Sequence, residues 1–247
     1  MNISATLEKL NTMRMHGFEQ AYRNVLESAL QEKYTSDELI AHLVDAEYDD
    51  KYNRKLSRLI KNAGFKQQVS LEHIDYHHPR NIDRNLILRL QSCDWINKGR
   101  DLLIVGATGT GKSFLACAFG MQACINEHKT LYFTASNLLD KLTYAKADGT
   151  YFKFLDFIAK AKLLIIDDFG LKKVDASQCN MLLDVIDERH AKSSTIISSQ
   201  LQVKEWYDCF AQKTIAEAIL DRVLNSSYRI LLEGEISMRK NLRKTEE

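Results

Sequence analysis

Residues 101–113 read DLLIVGATGTGKS, an apolar run followed by a glycine-rich loop that ends in lysine and serine. From Gly106 to Ser113 the loop satisfies the spacing G-x-x-x-x-G-K-[ST]. Glycines let such a loop curl so that backbone N–H groups point inward at phosphate oxygens. The candidate nucleotide-binding residues are therefore Gly106, Ala107, Thr108, Gly109, Thr110, Gly111, Lys112, Ser113 and Phe114. In this pattern Lys112 reaches the β- and γ-phosphates of ATP and Ser113 holds Mg²⁺. The next stretch, FLACAFGMQACI at 114–125, reads as a helix whose positive N-terminus faces the same anion. A plain glycine turn would need neither the strand before nor the helix after.

A second element completes such a site. LLIIDD, residues 163–168, ends an apolar run in two aspartates. Two acids at the carboxyl end of a buried strand are costly unless they meet a cation or donors. Asp167 is the candidate Mg²⁺ holder, directly or through water, and Asp168 the group that orients or polarises the attacking water. The competing reading is a pair of strand-end carboxylates making turn bonds. The run STIISSQ at 194–200 ends in Ser198, Ser199 and Gln200. Gln200 is the first candidate for holding the water or the γ-phosphate, and Ser199 the second.

Around these motifs the pattern is α/β. Apolar runs at 101–105, 130–134, 162–166, 194–199 and 228–232 alternate with helical stretches, which implies a parallel sheet covered on both faces. Residues 3–65 lack proline and repeat apolar side chains at helical spacing, which predicts about three helical segments with breaks near Gly17 and at 35–38. Thr35 and Glu38 have the spacing of a capping box. The only proline, Pro79, lies in IDYHHPRNID, which reads as a polar connection. The expected organisation is a helical domain over 1–66, a linker over 67–84 and an ATPase domain over 85–247.

The chain of 247 residues has a formal net charge of +1, unevenly spread. Residues 1–50 carry ten acidic and four basic side chains, and residues 51–100 carry four and eleven. Lys51, Arg54, Lys55, Arg58 and Lys61 recur at three- and four-residue steps, so one helix can present them on one broad face. Two readings stay open for this face: contact with DNA phosphates, or a solvated surface paired with the acidic Asp45–Asp50 stretch. Five irregularly spaced cysteines suggest neither a disulfide framework nor a zinc site. With no apolar h-region at the start and no membrane-length apolar run, the expected location is the cytoplasm.

GATGTGKS, LLIIDDFG, STIISSQ, AILDRVLNSSYRI and EGEISMRK occur in this order, and with them the chain resembles the IstB-like ATP-binding proteins. These are transposition helper ATPases of insertion sequences, AAA+ proteins close to the DnaC-like helicase loaders. The resemblance extends to the front of the chain, including YNRKLSRLIKNAGFK at 52–66. It implies a five-stranded sheet of order 5-1-4-3-2 and a homo-oligomer with ATP at its subunit interfaces. It places Arg222 at the arginine finger, although the residue alone reads equally as a helix arginine paired with Glu217 or a neighbour. Arg239 falls near a sensor-2-like position, but the short tail after it implies that the helical lid is largely absent. The implied activity is ATP hydrolysis by a factor that assembles on duplex DNA and helps a transposase. The motifs leave a replicative helicase loader as the alternative; a small-molecule P-loop kinase fits the long helical front less well.

Overall fold

The structure, a computed structural model, describes residues 3–28, 34–225, 227–234 and 238. The chain divides into two compact units, Met1–Arg58 and Leu59–Glu247.

The smaller unit holds α1 (Ile3–Thr12), α2 (His16–Glu27) and most of α3 (Ser36–Ala63). Leu10, Ala21, Val25 and Leu43 form its small buried set. The capping box is made: Glu38 N–H donates to Thr35 Oγ1 and Thr35 N–H to Glu38 Oε2. The first helix break falls at residues 13–15, ahead of Gly17, which lies inside α2. The reason is close packing, because a Cβ on Gly17 would stand 2.3 Å from the Ala46 carbonyl of α3.

In the larger unit the apolar runs become β1 (Leu102–Gly106), β2 (Thr130–Thr134), β3 (Leu163–Phe169), β4 (Ser194–Ser199) and β5 (Tyr228–Leu232). They form one parallel sheet in the order β2-β3-β4-β1-β5, the expected 5-1-4-3-2 order seen from the other edge. Between the strands run α6 (Lys112–Ile125), α7 (Ala135–Ala147), α8 (Tyr151–Ala159), α9 (Ala176–Arg189) and α10 (Lys213–Leu224), with α4 (Arg84–Gln91) and α5 (Asp94–Asn97) ahead of β1.

Strand residues alternate between two cores, as the period of two requires. Leu103, Val105, Leu164, Ile166 and Ile197 face the core built with α7, α8, α9 and α10. Leu102, Ile104, Leu163, Ile165 and Ile196 face the core built with α4, α5 and α6. A strand buried on both faces reads as an unbroken apolar run, which is why these strands are visible in the sequence.

Residues 67–84, read from the sequence as a linker, contribute to the second core. Leu71 and Ile74 are buried there beside a 3₁₀ turn, Leu71–His73, and Arg80 is buried as well. All five cysteines are free and buried. Among the described residues no helix is long and apolar enough to cross a membrane.

Candidate functional site

The carboxyl edge of the sheet brings the motifs together. β1 ends at Gly106 and is flanked by β4, with Val105 opposite Ser199; β4 in turn pairs with β3, which carries Asp167 and Asp168. Three adjoining strands thus end in the glycine loop, the Ser198–Gln200 run and the two acids. In open parallel sheets this edge is where ligands bind.

The loop Gly106–Gly111 enters α6 directly. Gly111 is the N-cap residue, with φ +96, in the left-handed region that favours glycine. Lys112 is 5% exposed and its Nζ donates to the Ala107 carbonyl at 2.8 Å, so the ammonium lies folded over the loop. Thr110 Oγ1 donates to the same carbonyl at 2.9 Å. Ser113 and Phe114 lie half-buried in the first turn of α6. Met238 N–H donates to the Gly109 carbonyl at 3.0 Å, so the chain beyond β5 reaches the loop. Arg239 itself lies outside the described residues.

Asp167 is fully buried. Tyr132 Oη donates to its Oδ2 at 2.6 Å, and Ser198 Oγ donates to its Oδ1. Among the described residues no cation pairs with it. A buried carboxylate with two hydroxyl donors and no counter-charge fits a metal ligand, because unpaired buried charge is otherwise costly. Hard oxygen donors, this carboxylate and the Ser113 hydroxyl, are the chemistry Mg²⁺ takes. Tyr132 is held neutral: burial and the Asp167 carboxylate both push its phenol far above the usual range.

Asp168 sits where β3 shifts register between Ile166 and Phe169, and its φ is +57. A non-glycine residue in that region is uncommon, and such strain clusters at functional sites. Asp168 is half-buried where Asp167 is buried. Its N–H donates to Ser198 Oγ at 3.3 Å, and its Oδ2 lies 3.9 Å from Lys66 Nζ.

Ser199 is committed to the fold, since its Oγ donates to the Phe169 carbonyl and accepts from Trp206 Nε1. Gln200 is half-buried at the end of β4, and among the described residues its side chain has no hydrogen-bond partner. Arg222, on α10, pairs through Nε with Asp187 of α9, and its Nη1 donates to the Ala218 carbonyl at 2.8 Å. Among the described residues nothing joins Arg222 to the phosphate loop of its own chain.

On α3 Lys51 and Arg54 are held by ion pairs within the helix. Lys51 pairs with Glu47 at 3.1 Å, and Arg54 with Asp50 at 2.7 Å. Glu47 is buried and also accepts Phe18 N–H; its carboxyl lies below the usual range because those donors and Lys51 outweigh its desolvation. Lys55 is half-buried, whereas Arg58 and Lys61 are exposed and make no ion pair among the described residues.

Sequence reasoning missed Tyr132, and at the polar end of β4 it chose Gln200 and Ser199 over Ser198, the residue that meets Asp167. Tyr132 lies in TLYFT and reads as one more core aromatic; only the β2–β3 register, Tyr132 opposite Ile165, puts it two residues from Asp167 on the same face.

The family model of the IstB-like ATP binding protein matches residues 8–246. An insertion sequence ATP-binding protein of Sinorhizobium fredii is 36% identical over 239 residues, covering 97% of each chain. The ATP-binding protein of insertion sequence IS1162 from Pseudomonas fluorescens is 36% identical over 197 residues, 79% of this chain and 85% of that one. Among solved structures, the DnaC helicase loader superposes with a TM-score of 0.53 at 22% identity, covering 64% of this chain and 95% of that one. AMPPCP-bound DnaA from Aquifex aeolicus gives 0.56 at 16%, covering 74% and 55%. These two likenesses are of fold alone. On the match over residues 8–246, the chain belongs to the IstB-like ATP binding protein family.

Proposed function

We propose that this protein is an ATP-driven switch that assembles on duplex DNA and assists a transposase. The observation that carries the reading is the meeting of phosphate loop, paired acids and polar β4 terminus on three adjoining strand ends. Full-length likeness to insertion sequence ATP-binding proteins supports the biological setting. Likeness to the DnaC helicase loader is one of fold and gives helicase loading no observation of its own.

In this reading Lys112 leaves the Ala107 carbonyl to meet the β- and γ-phosphates. Ser113 and Asp167 would hold Mg²⁺, which would neutralise phosphate charge. Asp168 orients the attacking water and Gln200 fixes water or γ-phosphate from the neighbouring strand. Arg222 acts on ATP bound by an adjacent subunit, which makes the homo-oligomer the hydrolytic unit. The basic face of α3, above all Arg58 and Lys61, meets DNA phosphates. Residues 1–66 form the DNA- or partner-binding part, and 85–247 the ATPase part, in the cytoplasm.

Fluorescence anisotropy of a labelled duplex tests this directly. Binding that is tight with ATP and weak with ADP supports the switch; equal binding in both states refutes it.

A further inference from the structure

Arg80 stands behind the phosphate loop, on a stretch that reads in sequence only as a connection. It is 2% exposed. Its Nη1 donates to the Thr110 carbonyl at 3.1 Å and its Nη2 to the Asp75 carbonyl at 3.0 Å. Its Nε is buried without a hydrogen-bond partner. Among the described residues no carboxylate forms an ion pair with it. Asp75, the acid that acts on it through space, is exposed, and its Oδ1 already accepts His77 N–H. A buried guanidinium with a spare donor and no close counter-ion is unfavourable in the chain alone.

Its position shows what offsets that cost. Thr110 C=O and Gly111 N–H belong to one peptide group. A cation on the oxygen polarises the group and makes the N–H a stronger donor. Nη1 lies 2.5 Å from where a Gly111 Cβ would stand, so the guanidinium abuts the last residue of the loop before α6. The backbone holds it there. The Arg80 carbonyl accepts Glu233 N–H at 3.1 Å, just beyond β5, and Asn81 Nδ2 donates to Glu233 Oε2 at 3.4 Å. The arginine is thus tied to the sheet edge on one side and to the loop on the other.

We propose that Arg80 is a positioning residue of the nucleotide site, whose buried charge is balanced by the polyphosphate of the bound nucleotide through the Thr110–Gly111 peptide. The proposal rests on Gly106–Ser113 being the phosphate loop. Lys112 acts on the phosphates directly; Arg80 acts through the backbone, and it also favours glycine at 111 by occupying the space a side chain would need.

The test is a titration of fluorescent ATP, with ADP and AMP as competitors, against the full-length wild type, Arg80→Gln and Arg80→Lys. Melting of the unliganded proteins is measured in parallel. Arg80→Gln is expected to keep the unliganded melting midpoint, to lose about 10-fold in ATP affinity, to lose less for ADP and to leave AMP unchanged. Arg80→Lys is expected to recover part of the ATP affinity, because it keeps the charge while losing the fork. A loss equal for AMP and ATP, or Arg80→Lys as weak as Arg80→Gln, overturns the proposal and leaves Arg80 a mere prop. If Arg80→Gln does not fold, Arg80→Lys decides: a preserved preference for ATP over AMP supports the proposal and a collapsed one overturns it. Wild type that binds no ATP overturns the phosphate-loop reading and the proposal with it. Wild type that binds ATP, with Arg80→Gln unchanged, overturns the proposal alone.

Discussion

Tyr132 on β2 donates its phenolic hydrogen to Oδ2 of Asp167 on β3, across 2.6 Å and within the protein interior. With Ser198 on the other oxygen, the carboxylate is oriented from both neighbouring strands.

Outer partners of a metal ligand tune its affinity, typically by 10–100-fold. Tyr132→Phe removes the donor and keeps the ring. It is expected to shift the Mg²⁺ concentration needed for half-maximal ATP binding upward by about 10-fold, with little change in binding at saturating Mg²⁺. A Mg²⁺ titration of fluorescent ATP binding reads this shift. An unchanged midpoint would mean that the hydroxyl serves only packing.

Arg189 anchors the opposite end of the sheet. It is 1% exposed and donates to the carbonyls of Ile158, Ala161 and Ser194. Arg189→Met leaves these acceptors unpaired and is expected to cost about 3–5 kcal/mol, read as a lower denaturant midpoint. Beside it, burial pushes the Asp101 carboxyl up to about 7, against the pull of Thr195 N–H and Arg189. A carboxyl whose native pKa exceeds its unfolded one keeps its proton better when folded. Stability therefore falls as pH rises from about 4 to about 7. Asp101→Asn should flatten that slope in denaturation curves taken across the same range.

Arg222 offers a test of action between subunits. An arginine finger can be worth about 10³–10⁵ in rate, whereas an exposed ion pair is worth less than about 1 kcal/mol. Arg222→Ala should bind ATP and barely hydrolyse it, while Asp187→Ala, which removes only the partner, should stay near the wild-type rate. Mixing Arg222→Ala with Lys112→Ala should restore some turnover, because a mixed interface can pair an intact loop with an intact finger. If Asp187→Ala is as slow as Arg222→Ala, the arginine matters only for holding α10 to α9.

On α3, Lys51 and Arg54 are held by ion pairs, whereas Arg58 and Lys61 make none among the described residues. Arg58→Glu with Lys61→Glu should weaken binding to all duplexes alike and reduce the slope of log K against log salt by about 1.8, about 0.9 for each lost phosphate contact. Lys51→Ala should do less, since Glu47 already neutralises that charge. Salt titrations of duplex binding distinguish the two, and an unchanged slope in the double variant would make the face a solvated one.

The strands were legible because burial on both faces leaves unbroken apolar runs, and the phosphate loop because its chemistry requires glycines and a lysine at fixed spacing. Other parts of the site depend on register and close approach, which carry no local signal. The register shift and positive φ at Asp168, beside a fully buried Asp167, leave no mark in LLIIDD itself. Arg80 looked like one charge in a polar connection, since nothing near it in sequence marks Thr110 as its partner. The row of lysines and arginines on α3 was visible, and so was a pairing with the Asp45–Asp50 stretch, which the structure makes for Lys51 and Arg54 through Glu47 and Asp50.

The central claim, that bound ATP holds an assembly on DNA and hydrolysis releases it, is tested most directly by the mass of single complexes on a short duplex. Wild type and Asp168→Asn are compared with ATP and with ADP. The expected result is multi-subunit complexes in ATP that disperse with time for wild type, persist for Asp168→Asn and are absent in ADP. Complexes of the same mass in ATP and ADP, or decay of Asp168→Asn complexes at the wild-type rate, would contradict it.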